Sequence, residues 1–164
     1  MRNMLAKSST VQAWLSKEGR TVDSQETALA HIYPVALPSP ASGNRYTKDE
    51  LEGYRPYVLV WREQFTATRL STTGGVAGGA FAVMFVEDIP AAYLNDLEGS
   101  STQFETAVNG ILDELWDDAD ATAGNLMITG VSIDDGPVRN DYADIPEQGD
   151  SHAMLCTVQF GPDV

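Results

Sequence analysis

Two histidines, His31 and His152, and one cysteine, Cys156, are the side chains best suited to nucleophilic or soft-metal chemistry in this 164-residue sequence. A Ser or Cys nucleophile needs a base beside it. His152 and Cys156 share a strand face, but at ~3.3 Å per residue they stand about 13 Å apart. Cys156 therefore reads as a small core residue, and a single cysteine excludes an intrachain disulfide or a cysteine-based zinc site. The run Gly130-Val131-Ser132-Ile133-Asp134 has the outline of a nucleophile elbow. It lacks the second glycine and the following helix, so Ser132 reads as an ordinary strand residue.

Phosphate and metal motifs fail on residue identity. The glycines between Gly74 and Gly79 have neither the GxGxxG spacing nor a Walker-type lysine. Asp118, Asp120 and Thr122 imitate the first, third and fifth ligands of a calcium loop. The glycine required next is Ala123, and the bidentate glutamate is Thr129. A loose divalent-cation site from Asp117, Asp118 and Asp120 is the alternative to a solvated acidic helix end, and Asp134, Asp135, Asp141 and Asp144 form a similar, poorly spaced cluster. Paired carboxylates for acid–base work would need a cleft that no pattern announces. No catalytic residue, metal ligand or cofactor is assigned, and the expectation is a protein without enzymatic activity.

The elements that position these groups are organised around Ser100–Asp120. Phe104, Ala107, Val108, Ile111, Leu112, Leu115 and Trp116 recur at steps of three and four, the stripe of an amphipathic helix. Thr102 with Glu105 reads as its capping box. Asp117, Asp118 and Asp120 crowd its negative end, where the dipole prefers cations. Upstream, residues 1–9 read as a flexible arm, and Thr10 caps a short helix presenting Val11, Trp14 and Leu15. Residues 22–30 fit helix or loop, and Ala30–Leu37 reads as an extended edge segment, because Pro34 lacks a donor.

Residues 38–55 form a long loop with one helical turn at Lys48–Glu52. Pro56–Thr68 and Ala80–Asp88 alternate as strands of a long β-hairpin, with Leu70–Gly79 as a flexible tip. Residues 90–99 read as a connector with one turn around Ala91–Leu97. Asn125–Asp134 and Ser151–Phe160 are two further strands, separated by a polar loop at 135–150. The expected fold is a single α+β domain over residues 1–164. A four-stranded antiparallel sheet, including the hairpin, carries the main helix on one face and a short N-terminal helix beside it.

Charge is divided unevenly. Residues 1–86 hold nine Lys/Arg and seven Asp/Glu (+2), and residues 87–164 hold Arg139 against seventeen acidic residues (−16), which sum to −14. That argues against a grip on nucleic acid and suits a surface that repels polyanions or meets a basic partner. Three lysines against fourteen aspartates equally fit the hydrated surface of a halophilic protein. No run reaches the ~18 apolar residues of a membrane span, and residues 1–10 lack the apolar centre of a signal peptide.

Taken in order, HIYPVALPSP, PYVLVW, FAVMFVED, FETAVNGILDELWD, LMITGVSIDDGPVRND and MLCTVQFG resemble the tail-terminator and tail-completion proteins in the neck of long-tailed viruses, over roughly Thr10 to Gly161. The resemblance implies a non-catalytic virion protein, a ring, usually sixfold, that caps the tail tube at the head–tail connection. Its implied partners are copies of itself, the tail-tube protein and connector proteins, with DNA passing unbound and no membrane contact. On that expectation Leu70, Gly74, Gly75, Gly78, Gly79, Arg45, Tyr46 and Arg139 serve the subunit interface. Asp117, Asp118 and Asp120 would line an acidic lumen. Another tail-tube, baseplate or head-completion role, or a small-molecule or metal-binding domain, are the alternatives.

Overall fold

The computed structural model describes residues 1–162 apart from Glu18, Ser42, Asn44, Arg45 and residues 70–74, 90–96, 123–125 and 140–150. At 48, 65–69, 75–77, 97, 118–122, 126–139 and 162 only the backbone belongs to the described set.

The chain runs α1 (Arg2–Lys7), α2 (Ser9–Leu15), α3 (Gln25–Leu29), β1 (Ile32–Pro34), α4 (Lys48–Tyr54), β2 (Tyr57–Arg69), β3 (Gly75–Asp88), α5 (Leu97–Thr122), β4 (Leu126–Arg139) and β5 (Ser151–Pro162). It is an α+β fold. The sheet has five strands in the order β1-β2-β3-β5-β4. Four are antiparallel neighbours as the alternation predicts, but the extended segment joins as a fifth strand, parallel to β2 through Ile32–Val58, Tyr33–Leu59 and Pro34–Val60. A parallel neighbour needs a crossover rather than a tight turn, and the α4 region supplies it. Pro34 is tolerated because β1 lies at the sheet edge. After β3, α5 crosses the sheet to β4, and β5 returns between β3 and β4.

One face of the sheet carries the core. Val58, Val60, Val83, Phe85, Met154, Cys156 and Val158 meet Phe104, Val108, Ile111, Leu112 and Leu115 of α5. Residues 1–9, expected as a flexible arm, are instead helical, and Leu5 and Ala6 are fully buried in the same cluster. An apolar pair one turn into a short helix is enough to dock it once a sheet offers a surface. The opposite face holds a smaller cluster of Tyr57, Val86 and Ala153, flanked by Tyr33, Leu37, Tyr54, Leu59 and Met84.

Three further expectations are corrected. Trp116 is 49 % exposed, because at 3.6 residues per turn it lies about 110° from the centre of the Phe104–Val108–Ile111–Leu115 stripe. Thr102 is no cap. It lies inside α5, which starts at Leu97, and its hydroxyl donates to the Glu98 carbonyl at 3.0 Å, the back-bond that Thr makes within a helix. Gly75–Gly79 are not a turn but part of β3, paired with Phe65–Arg69. Among the described residues capping boxes form at Ser24 with Thr27 and at Thr47 with Glu50.

Candidate functional site

Two regions concentrate unusual features: the far end of the β2–β3 ribbon and the polar end of the sheet beneath the start of α5. Pairing of β3 with β5 stops at Gly79–Phe160. Pairing with β2 continues from Thr66–Gly78 to Arg69–Gly75, four further rungs, or about 13 Å at ~3.3 Å per residue. On the other flank, β1 ends where the chain turns away at Val35. The Val35 N–H donates to the Val60 carbonyl at 3.1 Å and Ala36 N–H to the Pro34 carbonyl at 2.8 Å. This tight turn forces Val35 to φ +69°, a left-handed conformation that β-branched residues avoid. Beyond Val60, no described strand covers the outer edge of β2, where Arg62, Glu63 and Gln64 are exposed. An uncovered edge is a template for pairing with another chain.

The ribbon is shaped by a bulge. The register shifts between Arg62 and Gln64, and there Gly79 approaches the Gln64 carbonyl so closely that a Cβ would collide with it and stand 3.1 Å from the Phe160 ring. Phe160 uses the room to lie against Phe81, with centroids 5.3 Å apart.

Of the residues expected at an interface, Gly75, Gly78 and Gly79 are brought together on β3, while Leu70, Gly74 and Arg45 lie outside the described residues. The Tyr46 hydroxyl is engaged within its own loop, donating to the Pro38 carbonyl at 2.6 Å, and its ring packs edge-on to Tyr54. Arg139 ends β4 opposite His152. Asp117 is exposed on the last turns of α5, whose backbone includes Asp118 and Asp120. Among the described residues no three His, Cys, Asp or Glu side chains converge as a metal site.

The polar end of the sheet was not anticipated from the sequence. Ser100 Oγ and His152 Nε2 are hydrogen-bonded at 2.7 Å, both groups buried, and the imidazole stacks on Phe104 at 5.6 Å. Glu87 faces His152 across the β3–β5 ladder. Its Oε2 accepts from Trp14 Nε1 at 2.8 Å. Burial pushes the Glu87 carboxyl up to about 7; the Trp14 hydrogen bond opposes the rise and Asp88 adds to it. The Ser–His pair resembles half of a nucleophilic centre, but Ser100 is 3 % exposed, so in this conformation it pins the first turn of α5 to the sheet. The residues lie 52 positions apart, each on its own element, so no local motif could have announced them.

On the far side of the sheet end, Arg55 reaches Asp88 at 2.8 Å. Arg20 ties α2 to the start of β2, donating to the carbonyls of Leu15, Tyr54 and Pro56. Burial, and then the charges of Arg20 and Lys17, hold His31 below its usual range.

Among the described residues no helix is long and apolar enough to cross a membrane. Compared with known proteins, the chain matches no protein-family model and no curated protein.

Proposed function

We propose that this protein is a structural virion component that assembles with copies of itself into a ring at the head–tail neck, where it terminates or completes the tail tube. The single observation that carries self-assembly is the β2 edge beyond Val60, which no described strand covers, running into a ribbon that outreaches its own sheet. A chain can satisfy such an edge by pairing with a neighbour, and a head-to-tail contact that closes makes a ring. The division of charge, +2 over residues 1–86 and −16 over residues 87–164, supports contact between unlike halves of adjacent copies. The carboxylates closing α5 would face passing DNA and repel it. Placement at the neck rests on the order of elements set out above.

Light scattering and negative-stain microscopy of the purified chain test this. A ring, hexameric by expectation, should appear, alone or with the tail-tube protein. Replacing residues 66–78 by a two-residue Asn-Gly turn should leave a folded monomer. A wild type that stays monomeric with and without that partner overturns the reading. If rings form but map to the tube or baseplate of a particle, the assembly holds and the neck does not. A hydrolase reading has one observation in its favour, the Ser100–His152 hydrogen bond. Labelling of Ser100 by a fluorophosphonate probe would establish it, and absence of labelling would remove it.

A further inference from the structure

The sheet end that carries Asp88 has a second face, and there two donors are left over. The Arg55 side chain is 4 % exposed and Ser151 is 0 % exposed. Among the described residues, Arg55 Nε and Ser151 Oγ are both buried without a hydrogen-bond partner. They belong to one locus. Asp88 accepts from Arg55 Nη1 at 2.8 Å, and Asp88 is the direct cross-strand partner of Ser151. Both donors therefore belong to residues that meet Asp88, Arg55 by a hydrogen bond and Ser151 by cross-strand pairing.

Leaving a buried donor unmade costs about 1–3 kcal/mol, more on a charged group, so two such donors on residues that each meet Asp88 favour an acceptor bound between them. Asp88 engages the guanidinium through Nη1 and leaves the Nε edge, half of the fork that grips a carboxylate or phosphate. Ser151 adds a hydroxyl donor. The surroundings favour negative charge. The Lys17 ammonium is held nearby by the Glu52 carbonyl at 2.6 Å and interacts electrostatically with Arg20, Arg55, Asp88 and Glu52. Lys17, Arg20 and Arg55 thus gather near Asp88 and Glu52, a concentration of cations in a protein of net charge −14.

From this geometry we infer that Arg55 and Ser151 form a binding site for a compact oxyanion, the chemistry shared by a carboxylate and a tetrahedral phosphate group. The oxyanion accepts from Arg55 Nε and Ser151 Oγ, and Lys17 and Arg20 supply the surrounding charge. The inference does not depend on ring assembly, since every group named lies at the opposite end of β2 from the ribbon tip.

Calorimetry and thermal unfolding of the full chain, with sodium phosphate, sodium acetate or sodium chloride at matched ionic strength, provide the test. Phosphate or acetate should bind and raise the unfolding temperature beyond chloride. Preference for one assigns a tetrahedral or a planar ligand. Ser151→Ala should weaken that binding about 10- to 150-fold, the loss expected for one hydrogen bond to a charged group. Arg55→Lys, which keeps the charge but loses the fork, should abolish it. If Arg55→Lys does not fold, wild type and Ser151→Ala still decide the matter. The site is refuted if neither anion exceeds chloride, which would mean that bound water satisfies the donors. It is equally refuted if Ser151→Ala binds as wild type does.

Discussion

Trp14 Nε1 donates to Glu87 Oε2 at 2.8 Å, joining α2 to the end of β3 across 73 residues of sequence. The same indole packs edge-on against Phe85, centroids 5.7 Å apart. A helix of seven residues cannot persist alone in water. Its apolar anchors, Val11 and Leu15, fix it to the core, and the indole fixes its rotation over the sheet.

The partner in that bond titrates near neutrality. Glu87 is raised from 4.5 to about 7, so the folded state takes up a proton that the unfolded state does not. Its stabilising contribution is complete below pH 4.5 and is lost as pH rises through about 7, with an upper bound of about 3 kcal/mol. Glu87→Gln keeps an acceptor for Trp14 without the charge. Denaturant unfolding at pH 5 and pH 8 should show wild type losing stability over this interval and the variant losing much less. Equal slopes would mean that Glu87 is ionised in the fold throughout.

Glu114 closes the opposite end of α2. Its carboxylate accepts from Ser8 Oγ at 2.6 Å and from the Ser9 and Thr10 N–H groups at 3.1 Å each. Burial would raise its pKa, but the hydrogen bonds from Ser8, Thr10 and Ser9 prevail and hold it below the ordinary value. A lowered carboxylate stabilises the fold above its unfolded pKa, and that contribution disappears as pH falls through the folded one. Glu114→Ala should cost about 1 kcal/mol, the scale of a lost helix cap. Hydrogen exchange should accelerate in residues 2–15 before it does in β3. Unchanged protection there would show that α1 and α2 are held by their apolar contacts alone.

Val35 combines φ +69° with 69 % exposure. A β-branched side chain there carries strain and returns little burial, and strain of this kind costs about 1–3 kcal/mol. Val35→Gly should therefore stabilise the protein slightly in thermal unfolding, by up to ~1 kcal/mol after the greater freedom of the unfolded chain is counted. A destabilised variant would mean that the valine side chain makes a contact important to the fold.

Two glycines give opposite expectations. Gly79→Ala would drive a methyl into the Gln64 carbonyl and towards Phe160, and should cost about 2–3 kcal/mol or displace the bulge. Gly110 faces open space in the middle of α5, so Gly110→Ala should stabilise by about 1 kcal/mol through helix propensity. Chemical denaturation of the two variants beside wild type checks both signs.

The patterns that repeat along the chain determined the class and most of the elements. Period two marked β2, β3 and β5, and period 3.6 marked the buried stripe of α5 from Phe104 to Leu115, because burial of one face imposes those periods locally. The single turn read at Lys48–Glu52 lies within α4, whose Thr47–Glu50 capping box only the structure disclosed. What the chain could not disclose by itself was who meets whom. Leu5 and Ala6 in a polar-looking start become core only because a sheet is there to receive them. Gly75–Gly79 read as a tip by composition, yet pairing with Phe65–Arg69 makes them strand. Ser100 with His152, Trp14 with Glu87, and Arg55 with Ser151 around Asp88 are partnerships between distant segments. Periodicity reports which face of an element is buried, whereas the identity of the group buried against it is settled only when strands and helices are brought into register in three dimensions.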